Sequence, residues 1–285
     1  MGIKIANWQE TFISNLSAAG FDVEINSADS FLLIDFKKYG NLVINLISVN
    51  HNFGSAQAIH LQEYYREQNI QLVQLWEDVW LTRPLQVISR ICSMLGVNRK
   101  VHGRKTNIIN ITQPQADQFL DNFHLQGRAK ARYHYALEAD GLMVAVASFS
   151  GKRKMTRKHA DYTSVELIRF ANAEGITVQG GLSKLIKHLI KAITPNDIMT
   201  YADMDWSYGK GYAKLGFELS AQTSACEIWL DQRSLIRYFP HRLPVEVIDV
   251  LGAEIDSSTE VAAKMRSLHY ARVFNTGNLK YILYL

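Results

Sequence analysis

The sequence predicts a mixed α/β (α+β) protein built from two successive domains, and three observations carry that reading. Over the first hundred residues the apolar pattern follows the order α-β-β-β-α-β-α. Beyond Thr112 it changes to helix, hairpin, strand, helix, strand, short helix, strand. Between Val101 and Pro114 the chain is polar and basic, which sets the expected division at 1–110 and 111–285.

In the first domain Trp8, Phe12 and Leu16 fall at helical spacing, and Gly20 is placed to end that helix. FDVEI (Phe21–Ile25), FLLIDF (Phe31–Phe36) and NLVINLI (Asn41–Ile47) read as short strands, the last two joined by a turn at Lys37–Gly40. A helix from about Ser55 to Gln68 precedes the strand QLVQLW (Gln71–Trp76). Thr82 then reads as the cap of a helix that carries Pro84 in its first turn and runs to Leu95.

In the second domain Thr112 and Pro114 open a helix that ends near His124. ARYHYALE and LMVAVASF flank Asp140-Gly141, a dipeptide that favours a tight hairpin turn. VELIRFA (Val165–Ala171) is a further strand. From Leu182 the apolar positions Leu185, Ile186, Leu189, Ile190 and Ile193 form one buried helical stripe, with Lys184, Lys187, His188 and Lys191 between them. Gly180 and Gly181 precede this helix, so its N-terminal amides can approach a phosphate closely. Pro195 stops the helix, and IMTYAD reads as a short buried strand ending in the carboxylate of Asp203. CEIWLD (Cys226–Asp231) is a late strand. Residues from Gln232 onward, with a helix near Glu260–Leu268, read as an extension of this domain.

The chain has 285 residues, 47% of them hydrophobic and 20% charged, which is ordinary for a globular protein. No apolar run approaches the ~20 residues a bilayer requires, and MGIKIANWQE lacks the apolar core of a secretory signal. Two cysteines, Cys92 and Cys226, leave no room for a disulfide framework or a cysteine zinc site. These features together point to a cytoplasmic protein without a membrane partner. Net charge is only +4, but Lys152, Arg153, Lys154, Arg157 and Lys158 are crowded into one short stretch with no acid. Such a patch suits DNA as a partner, although basic runs also occur as solvated loops.

A glycine turn into a helix, a strand, and then G-Y-A-K-L-G-F at 211–217 resembles the second half of a GNAT N-acyltransferase. The resemblance implies that Gln179, Gly180, Gly181, Leu182, Ser183 and Lys184 hold the pyrophosphate of acetyl-CoA or another acyl-CoA. It also implies that Tyr212 protonates the departing thiolate. The turn departs from the family's Arg/Gln-x-x-Gly-x-Gly/Ala spacing, having adjacent glycines followed by a serine.

The segment from His60 to Trp80, H-L-x-x-Y-x-x-x-x-x-I-x-L-V-x-L-W-E-D-V-W, is similar to phage and mobile-element homing endonucleases. Their nuclease domain resembles the very-short-patch repair enzymes and has a restriction-endonuclease-like core. Those proteins also share segments like FLDNFHLQG (Phe119–Gly127), GGxSKL, YADxxWSxGxxYxxLGF and G-N-L-K-Y (Gly277–Tyr281). A nuclease site needs two or more acids around a divalent ion. Asp35 suits the first position, but Asn45 stands at the second and carries no charge. Glu77 and Asp78 are residual candidates, which reads as a degenerate, non-cleaving domain with no metal.

Mom-type phage DNA-modification proteins, themselves GNAT-like, combine an L-x-R-x strand, a serine at the next helix head, a Y-A-D strand end and a G-x-x-Y turn. Leu167–Phe170, Ser183, Asp203 and Gly209–Tyr212 are similar to these. An amine acceptor must be neutral to attack, so Asp203 is the leading candidate base, and His124 reads either as a second base or as a structural histidine. The expected function is therefore acyl-CoA-dependent N-acyl transfer to DNA or a nucleic-acid-associated substrate. A homing-type endonuclease and a non-catalytic DNA-binding protein are the alternatives.

Overall fold

The structure is a computed structural model and describes residues 5–28, 30–155, 161–252 and 258–285. The chain opens with α1 (Asn7–Ala18), the strands β1 (Val23–Ala28), β2 (Phe31–Phe36) and β3 (Leu42–Ile47), and α2 (Ser55–Glu67). Then come β4 (Gln71–Trp76), α3 (Glu77–Thr82) and α4 (Pro84–Met94). Two short strands, β5 (Arg99–His102) and β6 (Asn107–Asn110), flank a 3₁₀ turn at Gly103–Lys105. Helix α5 (Gln113–Phe123) leads to the hairpin β7 (Tyr133–Ala139) and β8 (Leu142–Phe149), followed by β9 (Arg153–Lys154), β10 (Thr163–Asn172) and β11 (Ile176–Gln179). Helix α6 (Gly181–Ile193), β12 (Asp197–Asp203), the four-residue α7 (Lys210–Ala213) and β13 (Glu218–Gln222) follow. The last part holds β14 (Cys226–Asp231), β15 (Ile236–Tyr238), α8 (Val245–Leu251), α9 (Ser258–Ser267), β16 (Tyr270–Asn275) and β17 (Asn278–Tyr284).

These elements form two compact units. The first is Met1–Thr82 with Asp203–Ser207 and Thr223–Asn278; the second is Arg83–Ala202 with Tyr208–Gln222 and Leu279–Leu285. This division differs from the one expected at residue 110. The segment expected to extend the second domain supplies core to the first unit instead. Ile228, Leu230, Val273 and Phe274 bury against Ile47, Phe53, Ala58 and Trp76.

The first unit contains a four-stranded sheet in the order β1-β2-β3-β4, with β3 and β4 parallel and the other pairs antiparallel. Every residue of β3 is buried, which a continuous apolar run in a central strand demands. A second sheet has the order β15-β14-β16. The helix expected to be capped by Thr82 is capped by Arg83, with Pro84 at its first position; Thr82 closes the preceding α3, its hydroxyl bonded to the Asp78 carbonyl.

The second unit is organised by a sheet in the order β13-β17-β12-β10-β8-β7-β6, with β9 added on β10. The Asp140-Gly141 turn has the positive φ values that this hairpin needs, 52° and 75°. Pleat alternation separates the two helices that pack on this sheet. Ala116, Phe119 and Leu120 of α5 share a cluster with Ala136, Val146 and Ala171. On α6, the His188 ring packs on Tyr135, and a Cβ at Gly181 would stand 2.9 Å from Leu137 Cδ1. Ala136 alternates with Tyr135 and Leu137, so α5 and α6 lie on opposite faces.

Candidate functional site

Strands β10 and β12 run parallel, but their pairing spans only Ser164–Leu167 against Asp197–Thr200. The Thr200 hydroxyl donates to the Leu167 carbonyl at the point where they part. Just beyond, between Leu167 and Arg169, the register of β10 against β8 shifts, which marks a β-bulge at Ile168. Strand β10 continues to Asn172, and β12 continues through Tyr201 and Ala202 within this unit. Among the described residues the facing edges of these continuations have no strand partner, although the Ile168 carbonyl accepts from Arg169 Nη1.

The Gln179–Lys184 turn sits on the α6 face. Gly180 is the helix N-cap at φ 72°, a conformation that glycine adopts freely. Sequence reasoning missed the neighbour of this turn. A Cβ on Gly103 would stand 3.0 Å from the Gln179 carbonyl and 3.2 Å from the Gly181 nitrogen, so backbone lies directly against backbone here. The approach is fixed by parallel pairing of β11 with β5, Gln179 opposite His102. Lys184, expected to meet a cofactor phosphate, instead donates its ammonium to the Gly103 carbonyl at 2.9 Å and to the Thr106 carbonyl. Gly181 is buried, and Ser183 lies in the first turn of the helix.

On the α5 face the loop after the helix gathers positive charge. His124 caps α5, and its Nδ1 accepts the Gln126 N–H at 3.0 Å, which leaves the proton of the neutral ring on Nε2. Burial first, then the nearby Arg169, Arg90 and Arg83, depress its pKa to about 3. A ring held neutral in this way can donate from Nε2. Arg83 Nη1 donates to the carbonyls of Asp121 at 3.1 Å and His124 at 3.4 Å. Arg169 Nε donates to the Gly127 carbonyl at 3.2 Å, and its Nη1 donates to the Ile168 carbonyl at 2.9 Å. Tyr212 stands in α7, its ring against Phe217 and Tyr281, and its phenol lies within electrostatic reach of Arg90.

Asp203 ends β12 and belongs to the first unit. Its Oδ1 accepts the Asp205 N–H at 3.0 Å. Asp205 is buried, its Oδ1 accepting both the N–H and the O–H of Thr276 at 2.8 and 2.7 Å. Burial and the neighbouring Asp203 raise its pKa to about 7, against the opposing effect of the Thr276 bonds and Arg237.

The residual metal candidates are separated. Asp35 accepts from Asn26 Nδ2 at 3.1 Å, and Glu77 accepts the Val49 N–H at 2.9 Å. Asp78 is buried in a bidentate pair with Arg237 at 2.6 and 2.8 Å. Asn45 is fully buried and donates to Gln74 Oε1 at 2.7 Å. Among the described residues no three His, Cys, Asp or Glu side chains are grouped to hold a metal ion.

Of the basic stretch, Lys152, Arg153 and Lys154 are exposed, with Arg153 and Lys154 forming β9 and Arg153 facing Glu166 at 3.8 Å. Arg157 and Lys158 lie outside the described residues. A cavity of about 710 Å³ in the second unit is lined by Arg99, Lys100, His102 and Lys105 together with Phe119 and Phe123.

No family model matches the chain, and no curated protein matches it. Among solved structures, the chain is similar to a GNAT family acetyltransferase from Elizabethkingia anophelis with acetyl-CoA bound. That match has 13% identity and a TM-score of 0.34, covering 64% of this chain and 99% of the other. It is also similar to Naa50 of Arabidopsis thaliana in complex with a bisubstrate analogue, at 10% identity and a TM-score of 0.38, covering 64% and 99%. A third is the ribosomal-protein-S18-alanine N-acetyltransferase of Escherichia coli, at 11% identity and a TM-score of 0.36, covering 63% and 93%. These are resemblances of outline, and the functional reading rests on the elements of this chain.

Proposed function

We propose that this chain is an acyl-coenzyme A-dependent N-acyltransferase of the GNAT type that acts on DNA or a nucleic-acid-associated substrate. The observation that carries the reading is the parting of β10 and β12 beyond Leu167 and Thr200, with a bulge in β10 at that point. Unpaired edges of this kind fit a pantetheine arm, which can add to a strand edge through alternating amide donors and acceptors. The first-turn amides of α6, at Leu182 and Ser183, fit the phosphates, since a helix N-terminus offers free N–H groups and a positive dipole end. Lys184 is assigned to holding the turn against Gly103 and not to the phosphates.

The cofactor, when bound, supplies the activated thioester. Tyr212 is assigned as the acid that protonates the departing sulfur, and Asp203 as the base that keeps the amine neutral. His124 is assigned as an N–H donor beside the acceptor. Exposed Lys152, Arg153 and Lys154, and the basic, aromatic-lined cavity, support a nucleic-acid partner. No cleavage is assigned to the first unit, because Asp78 is neutralised by Arg237 and Asn45 brings no charge.

Calorimetry with acetyl-CoA tests the core of the reading; absence of binding at millimolar concentration refutes it. Tyr212→Phe should retain that binding while lowering turnover ~10²–10⁴-fold, the usual contribution of one general acid.

A further inference from the structure

We propose that the cavity between α5 and β5 is a nucleotide pocket, taking one base against Phe119 and Phe123 and its phosphate on Arg99, Lys100 and Lys105. The proposal deepens the nucleic-acid part of the reading above and rests on it only for the source of the nucleotide. The whole site lies in the second unit.

Its walls are fixed by the fold. Strand β5 is held by a parallel ladder to β11, and the Arg99 N–H donates to the Gly175 carbonyl at 2.9 Å. Opposite it, α5 is seated on the sheet through Ala116, Phe119 and Leu120. The Ala173 N–H donates to the Val144 carbonyl at 2.9 Å, which ties the chain leaving β10 to the start of β8 and closes the floor. About 710 Å³ is left between these elements, within the roughly 300–1,000 Å³ usual for sites that enclose a small molecule.

The lining is sorted by chemistry. Phe119 and Phe123, four residues apart on α5, meet edge to face with ring centroids 4.7 Å apart, and Met143 packs against the same cluster. Leu142 holds an apolar side chain in solvent at the opening, 71% exposed. Beside the aromatic row, Gln118 and Asn122 repeat its four-residue spacing, so their carboxamides form an adjacent row. Both are exposed, and neither makes a side-chain hydrogen bond among the described residues. A carboxamide offers a donor and an acceptor together, the pattern that the edge of a base presents. On the third side Arg99, Lys100, His102 and Lys105 are exposed, and their side chains make no ion pair or hydrogen bond among the described residues. Asp140 is the one acid among the described lining residues. A basic run that is merely solvated has no reason to face a wall of rings. Cations on one side and rings on the other match a phosphate and a base joined through a sugar. The cofactor does not account for this space, because the turn assigned to its phosphates heads α6, on the sheet face opposite α5.

Calorimetry on the full chain with adenosine 5′-monophosphate, adenosine and inorganic phosphate tests the pocket. The monophosphate should bind saturably and more tightly than either part alone. Phe123→Ala should weaken it roughly tenfold, the loss of one stacking face, and Arg99→Gln several-fold. Should Phe123→Ala fail to fold, Asn122→Leu alters an exposed side chain of the same wall and should weaken binding several-fold. Lys187→Gln, on α6, should leave it unchanged. Affinity no better than that of phosphate, binding indifferent to Phe123 and Asn122, or equal weakening by Lys187→Gln overturns the proposal. Displacement of the monophosphate by acetyl-CoA also overturns it, since the cavity would then be the cofactor's own. Two DNA duplexes separate the sources. If a duplex with one unpaired nucleotide displaces the monophosphate and a fully paired one does not, a nucleic-acid strand supplies the base. If neither displaces it, the pocket stands for a free nucleotide and lends the nucleic-acid reading no support. Absence of monophosphate binding while duplex binding persists sinks the pocket and leaves the nucleic-acid reading in place.

Discussion

Asp205 gives the first unit a stability that should depend on pH in an unusual direction. Its carboxyl is buried beside Asp203 and titrates near 7, against 3.8 for the ordinary side chain. The folded-state pKa is raised, so the proton is lost first by the unfolded chain. Below about pH 4 the group is neutral in both states and imposes no penalty. Between pH 4 and 7 stability falls steadily, and above pH 7 the deficit stays constant. A separation of about 3 pH units corresponds to about 4 kcal/mol at its full extent. Asp205→Asn keeps an oxygen to accept the Thr276 N–H and O–H and cannot ionise. The variant should therefore match the wild type near pH 4 and become more stable by roughly 3–4 kcal/mol at pH 8. Urea denaturation followed by tryptophan fluorescence suits the purpose, because Trp8, Trp76, Trp80, Trp206 and Trp229 all belong to the first unit. Taking the difference between the two proteins at each pH cancels the other titrating groups. A difference that does not change between pH 4 and 8 would refute the argument.

Three further outcomes are expected. Gly209→Ala places a Cβ 2.3 Å from Tyr281 Cε2 at a φ of 67°, so thermal denaturation should show a loss of roughly 2–4 kcal/mol. Lys184→Met strips the donor from two backbone carbonyls and should cost about 1–3 kcal/mol of stability, while calorimetry with acetyl-CoA shows affinity changed only a few-fold. Replacing Lys152, Arg153 and Lys154 together by Ala should lower DNA affinity and reduce the salt slope by about one for each phosphate left without its cation, as read by fluorescence anisotropy; an unchanged slope would show the strand to be only solvated.

What the sequence made legible is whatever a short window records. The stripe Leu185, Ile186, Leu189 is buried in α6, and the Asp140-Gly141 turn has the φ values its residue types favour. The strands β2, β3 and β4 lie where continuous apolar runs placed them. Less visible was anything decided by a distant partner. Arg99–His102 reads locally as a solvated basic patch, yet it pairs with Ile176–Gln179 and seats Gly103 against the glycine turn. Periodicity says that Ile228 and Val273 must be buried, but not that Trp76 and Ile47 are what they bury against. At the candidate site, Gly180 and Gly181 stood out before an amphipathic helical stripe, and Tyr212 was marked by the resemblance of its G-Y-A-K-L-G-F segment to GNAT acyltransferases. Arg83 was not, because nothing local marks it until the end of α5 is set beside it.

The interrupted composition of the first unit has a consequence for how the protein is made. Trp76, Phe53 and Ile47 leave the ribosome early, but Leu230, Val273 and Phe274, which close that core, follow only after the whole of Arg83–Ala202 has been made. Joining them requires closure of a loop of roughly 150–230 residues, a long-range event that slows folding. During that interval the nascent chain presents an apolar surface with nothing to cover it, and the whole of Arg83–Ala202 emerges first. Fragments ending near residue 110 would hold that exposed state permanently, so they should be recovered as aggregates or bound to chaperones, whereas the intact chain folds.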